Sequence, residues 1–213
     1  MKIKKKSLTK EKIKNIALRL FNEIDTLSIT TNHIASNAKI STGNLYYHYK
    51  NKEEIIVDIY EDMSFKFDNF KSFEQILESE NPLKELYAMY DLYGNLFWEY
   101  KFIMRDSAVL IALFPKFKDL FLLHQTQRLE QIESVIHYFI EKNIFKSISQ
   151  EEIKLRAKLN WFVSAYWQVF TATSENVTKE SIDEIKHIIF KINIYPFLTE
   201  KGEGLANELK IST

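Results

Sequence analysis

Apolar residues in this 213-residue chain recur at three- and four-residue intervals almost from end to end. That period lines up one face of an α-helix, whereas a strand needs alternation by two. Ile13, Ile16, Ala17, Leu20 and Phe21 make one such stripe. Ile55, Ile56, Ile59, Tyr60, Met63 and Phe67 make another, and Leu83, Leu86, Tyr87, Tyr90, Tyr93, Leu96 and Phe97 a third. Only 4 glycines and 3 prolines punctuate the chain, too few for a set of hairpins. The expected fold class is therefore all-α, a three-helix head followed by a helical-bundle body.

Helices are expected over residues 9–24, from Thr30, from Ser41 or Thr42, and over 52–70. Pro82 and Pro115 each suit a first turn, the second opening the longest helix, to about 142, with Leu122, Leu129, Ile132, Val135, Ile136 and Phe139 inward. Further helices are expected over 150–173, 179–194 and 205–209. Residues 72–81 read as a linker, 98–101 as a break, and Gly202-Glu203-Gly204 as a turn. The 150–173 helix is apolar on two arcs. Leu155, Leu159, Phe162, Val163, Tyr166 and Phe170 form one, and Ala157, Trp161, Ala165 and Ala172 the other, so both need cover.

The stretch 29–52, ITTNHIASNAKISTGNLYYHYKNK, reads as two short helices about a tight turn. Ile34, Ala35 and Ala38 face inward, Ile40 plugs the core, and Leu45 and Tyr49 are buried on the second helix. Thr42, Gly43, Asn44, Tyr46, Tyr47 and His48 occupy its remaining arc. This is a helix-turn-helix suited to reading DNA. Net charge is zero overall, but it is segregated. Residues 1–52 hold 11 Lys and Arg against 3 acidic residues, a net +8, and the rest of the chain carries the balancing −8. Lys2, Lys4, Lys5 and Lys6 would extend the basic surface as an arm. The expected division is a DNA-binding domain at 1–52 and an effector-binding and dimerisation domain at 53–213.

The run Thr30-x-x-x-Ile34-Ala35-x-x-Ala38-x-Ile40-Ser41-x-Gly43-x-Leu45-Tyr46-Tyr47-His48-Tyr49-x-Asn51-Lys52-Glu53 resembles the TetR/AcrR family of bacterial transcriptional regulators. Phe97-Trp98-Glu99-Tyr100-Lys101-Phe102 with Arg105-Asp106, and Tyr195-Pro196-Phe197-Leu198, are similar to one branch of its C-terminal domains. Lys39 departs from the pattern where a turn glycine is usual, and Asp25 where a glycine often closes the first helix. His33 stands where an acidic capping partner is common, which leaves the capping box incomplete, and Asn32 where some relatives place an arginine. The resemblance implies a homodimer on a palindromic double-stranded operator, released by a small molecule. It implies phosphate contacts from Tyr46, His48 and Lys52; from their own chemistry Thr31, Thr42, Asn44, Tyr47 and the Gly43 backbone are candidates for groove contact, and Asn32 and Lys50 join the DNA-binding set. It also implies an interface between the last two long helices of each subunit, here assigned to Trp161, Ala165, Gln168, Ile185 and Ile189.

In the body, aromatic residues crowd 87–102. Tyr90, Tyr93, Phe97, Trp98 and Phe102, with Arg105 as a polar anchor, are the expected effector pocket, suited to an apolar or aromatic molecule. Enzyme chemistry lacks its residues. Glu184-x-x-His187 is a single carboxylate–histidine pair with no second, and no cysteine exists to bind metal or act as nucleophile. No cofactor, metal site or membrane span is expected, and the location expected is the cytoplasm. An activator or non-allosteric DNA binder shares every head feature. An all-α enzyme or a helical adaptor is the reading from another class.

Overall fold

The computed structural model describes residues 2–209, with side chains from residue 8 onward. The expected arm lysines, Lys2, Lys4, Lys5 and Lys6, have side chains outside the described residues. In chain order the helices are α1 Lys2–Glu23, α2 Thr31–Asn37, α3 Thr42–His48, α4 Lys52–Asn69, α5 Ser72–Glu78 and α6 Pro82–Glu99. There follow α7 Lys101–Arg105, α8 Ser107–Leu113, α9 Pro115–Glu141, α10 Gln150–Thr171 and α11 Ser181–Ile189. A π-helical turn Phe190–Ile194, a 3₁₀ turn Tyr195–Phe197 and α12 Glu200–Asn207 complete the chain. Among the described residues the only β pairing is one isolated bridge, Phe145 to Leu198. The chain divides into two compact units, residues 1–66 with 99–122 and residues 67–98 with 123–213, rather than at residue 52.

The first unit holds the helix-turn-helix. Thr30 caps α2 by accepting from the His33 N–H at 3.2 Å, while the His33 Nδ1 accepts from the Thr30 N–H at 3.3 Å. The capping box is thus complete, with an imidazole nitrogen in place of the usual carboxylate. The turn after α2 keeps a left-handed residue although no glycine stands there. Lys39 itself adopts φ 54°, and Ile40 N–H reaches back to the Ala35 carbonyl at 3.1 Å while Lys39 N–H bonds Ser36. That is a Schellman ending built on a lysine instead of a glycine. Ser41 caps α3, accepting from the Asn44 N–H. Ile13, Ala17, Phe21, Ile34, Ala38 and Leu45 are wholly buried.

Arg105 and Asp106 also belong to this unit. The guanidinium donates to the last-turn carbonyls of α1, Phe21 at 2.7 Å and Asn22 at 3.3 Å, and to the Asp106 carboxylate at 2.7 and 2.9 Å. Asp106 in turn accepts from the Thr26 N–H at 3.0 Å and from its hydroxyl. The pair therefore closes the end of α1, an end that no glycine closes. Burial raises the Asp106 carboxyl, but Arg105 and Thr26 outweigh it and hold the group below its ordinary range.

The second unit is an aromatic-rich bundle. Phe190 is wholly buried against Tyr87, Tyr90 and Tyr195. The expected linker is mostly helix, α5. The expected turn at 202–204 lies inside α12, where Thr199 caps the helix through the Gly202 N–H. A Cβ on Gly202 would stand 2.4 Å from the Ile144 carbonyl oxygen, so glycine is there for close approach. The 179–194 helix starts later and changes register into the π turn. On α9, Leu122 is exposed rather than inward, and Arg128, which no apolar stripe included, is buried.

Candidate nucleic-acid interface and ligand cavity

The local caps set α3 so that Leu45 and Tyr49 enter the core while the opposite arc is displayed. Thr42, Gly43, Asn44, Tyr46 and Tyr47 are exposed, Tyr47 to 66%, and Asn32 and Lys50 are exposed beside them. His48 and Thr31 are half-buried. The Tyr46 hydroxyl lies 3.0 Å from Thr31 Oγ1, which fixes the ring's direction. A Cβ added to Gly43 would meet nothing nearer than 4.0 Å. Packing within the chain therefore does not require glycine there.

One neighbour of this arc, Lys52, points away from it, and another, Tyr49, is buried as expected. Lys52 is turned inward, donating to the carbonyls of Thr26 at 2.6 Å, Ile29 at 3.0 Å and Leu27 at 3.5 Å. Burial lowers its pKa and the charge of Asp25 offsets part of that. Its ammonium is thus committed to the α1–α2 loop rather than presented to a phosphate, because those carbonyls lie beyond the reach of helix bonds. Tyr49 is anchored by donating to Asp58 at 2.6 Å, and Asp58 pairs with Lys10 at 2.8 Å.

In the second unit, an apolar cavity of about 60 Å³ opens among α6, α9, α10 and α11. Tyr90, Tyr93 and Phe97 line it as expected, with Phe67, Trp161, Trp167, Ile182, Ile185 and Ile189. Trp98 is half-buried outside it, and Phe102 and Arg105 lie in the other unit. The aromatic crowding in the sequence runs across a helix break at Tyr100, so the part beyond the break turns to a different core. Phe67 stacks on Tyr93 at 3.8 Å and carries the Arg128 guanidinium 3.6 Å from its ring centre. Arg128 and Lys186 also line the cavity, but both are neutralised at close range. Arg128 meets Asp68 at 2.6 Å, and Lys186 meets Asp91 at 2.5 Å and Asp183 at 3.2 Å. Burial opposes the charge of Lys186, yet the bonds to Asp91 and Tyr87 prevail and raise its pKa. Burial pushes the Tyr90 and Tyr93 hydroxyls up to about 12, so both stay protonated at ordinary pH, and Tyr90 accepts from the Asn160 amide.

The family model described as bacterial regulatory proteins, tetR family, matches residues 15–59. A second, described as TetR, bacterial transcriptional repressor, matches residues 70–204, most of the chain.

The chain belongs to the TetR family.

An uncharacterised HTH-type transcriptional regulator of Bacillus subtilis (strain 168), YxbF, is 43% identical over 51 residues, which is 24% of this chain but only 13% of that relative's length. Among solved structures, a TetR-family transcriptional regulator from Marinobacter aquaeolei VT8 superposes with a TM-score of 0.80 at 23% identity, covering 94% of this chain and 97% of that one. The TetR-family regulator PfmR from Thermus thermophilus gives 0.65 at 17% identity, over 84% and 97% of the two chains. AibR, in complex with isovaleryl coenzyme A and operator DNA, gives 0.64 at 16%, over 87% and 98%. At these identities the structures establish a shared fold. The role comes from the two family models: the chain is a TetR-family DNA-binding transcriptional regulator.

Within the TetR body, the residues expected to meet a second copy are turned the other way. Ala165 and Gln168 are buried inside the protomer, while Trp161, Ile185 and Ile189 face the cavity. Periodicity showed two apolar arcs on α10 but not which one meets its own chain. The small Ala157 and Ala165 are used for close packing inside the protomer, and the opposite arc is uncovered. Leu155, Phe162 and Val169, seven residues apart, are exposed with Phe170, and Ile188 and Ile192 are exposed on the neighbouring segment. Lys186 and Asn193 were missed altogether. Their only signal was a polar residue at an inward position of the 182, 185, 189 stripe.

Proposed function

We propose that this TetR-family protein is a cytoplasmic repressor that binds a palindromic operator as a homodimer and is released by a small-molecule effector held in the second unit. The observation that carries the DNA reading is α3, whose core arc is buried while Thr42, Gly43, Asn44, Tyr46 and Tyr47 are displayed around a glycine the fold does not need. Tyr47 and Thr42 suit thymine methyls, Asn44 suits base edges, and Tyr46, His48 and Lys50 suit phosphates. The uncovered arc of Leu155, Phe162, Val169 and Phe170 supports a second copy on α10, since soluble surfaces seldom leave such a stripe open. The AibR complex with an acyl coenzyme A and operator DNA supports pairing one fold with both ligands. Release requires that the effector bind the operator-competent and operator-incompetent states unequally. No catalytic role is assigned.

The test begins with selection of genomic fragments by the purified protein, read for a palindrome. Operator affinity is then measured against salt for the wild type and for Tyr47→Ala, Lys50→Ala and Lys52→Ala. Tyr47→Ala should weaken specific binding about tenfold, and Lys50→Ala should reduce the salt slope by about one. Lys52→Ala should leave that slope unchanged and lower stability instead. Unchanged affinity in both Tyr47→Ala and Lys50→Ala would overturn the placement of DNA on α3.

A further inference from the structure

We infer that the cavity of the second unit continues past Tyr90 and Asn160 into a chamber whose polar end is Asn193, and that Asn193 anchors the terminal carboxamide or carboxylic acid group of a slender apolar chain. This rests on the proposal that the cavity holds the effector, and it names the effector's chemistry.

A second space of about 30 Å³ shares Met89, Tyr90, Ile132 and Asn160 with the larger cavity. Two small spaces separated only by side chains that line both would, once continuous, suit a narrow alkyl or acyl chain better than a fused ring system. The second is walled by apolar groups such as Leu86, Phe139 and Ile194. Its polar residues are unequal. Arg156 is already committed, with Nε donating to Glu152 at 2.6 Å and its outer nitrogen to the Ile192 carbonyl at 3.3 Å. Asn193 is only 5% exposed, and neither its Oδ1 nor its Nδ2 meets a protein partner.

A buried amide with both ends unmatched costs stability, and native proteins keep few such groups without a use for them. Asn193 also sits in the π-helical turn, a local geometry that recurs at functional sites. An amide offers one donor edge and one acceptor. Its complement is a group with an acceptor and a donor side by side, as in a primary carboxamide or a protonated acid. An ionised carboxylate brings acceptors only and would face Oδ1 with a second oxygen.

The experiment titrates the full-length protein with octanamide, N,N-dimethyloctanamide and octanoate at neutral pH, following emission of the cavity residues Trp161 and Trp167 and checking by equilibrium dialysis. Octanamide should bind about tenfold more tightly than either of the others. In Asn193→Leu that preference should vanish while affinity for dimethyloctanamide is kept. If this variant does not fold, the order of the three probes on the wild type decides alone. Equal binding of all three, or no binding, overturns the inference, and octanoate binding tightest overturns it in favour of Arg156. Operator affinity is measured in the same solutions. Octanamide that binds in the predicted order without changing operator affinity overturns the effector reading and leaves the Asn193 site standing.

Discussion

In the helix-turn-helix unit, Asp106 takes Thr26 and Arg105, Lys52 takes loop carbonyls, and Tyr49 takes Asp58. In the cavity unit, Asn193 and Gln168 keep buried amide atoms with no protein partner. The first unit has α7 and α8 in place to supply polar caps to α1 and its loop, so its buried polar groups fasten backbone that would otherwise be unmatched. The second encloses space between helices; Arg128 and Lys186 beside it are paired with carboxylates, but the Asn193 amide that lines its smaller part meets no protein group. The two units thus use their buried polar groups differently. In one, polar contacts hold a short helix with its outer arc displayed; in the other, helices enclose a cavity, which the proposed function fills with an effector.

The largest loss should come from Asp106→Ala. It strips Thr26 and Arg105 of their shared acceptor, and the loss in unfolding free energy should be about 3 kcal/mol by denaturant titration. A loss under about 1 kcal/mol would mean the network is ornamental. The same carboxyl sets an acid limb. Its folded pKa lies below its ordinary value, so its stabilisation is full above that ordinary value and is lost as pH falls through the folded one. Stability measured from pH 7 to 3 should therefore fall less steeply in Asp106→Ala than in the wild type.

On the cavity side, a Cβ on Gly94 would stand 2.3 Å from Ile182 Cγ2. Gly94→Ala should force α6 and α11 apart, costing about 1–2 kcal/mol after the helix-propensity gain. A more stable Gly94→Ala would show that the cavity wall is slack. Asn193→Leu should move stability by less than about 1 kcal/mol, since it removes an amide that no protein group satisfies. A loss as large as that of Asp106→Ala would erase the difference between the units. The smallest effect belongs to Lys39→Gly, which relieves a left-handed lysine and should add about 0.5 kcal/mol once the greater freedom of glycine in the unfolded chain is subtracted. A destabilised Lys39→Gly would mean the lysine side chain does more in the turn than its backbone costs.

The head was legible because each of its signals is local. Of the inward set, Ile34, Ala38, Leu45 and Tyr49 are buried, while Ile40 in the turn is half-buried. Thr30 and Ser41 cap the helices that follow them. His33 departs from the expectation of an incomplete capping box because an imidazole ring nitrogen can accept the N-cap N–H in place of a carboxylate oxygen. Lys52 departs for a different reason. A lysine beside a DNA-reading helix suggests phosphate, while its position relative to the loop carbonyls depends on where α1 ends.

Periodicity, capping residues and a contiguous motif are enough for the all-α class, the helix-turn-helix with its buried and displayed arcs, the two-faced character of α10 and the family. Each of these is set within a few turns of chain. Tertiary packing settled the rest: which arc of α10 lies inside the protomer, which aromatics line the cavity rather than the other core, and where Lys52, Lys186 and Asn193 point. A helix repeats its faces identically whatever it meets, so the choice of partner for each face is made by distant segments that no local pattern records.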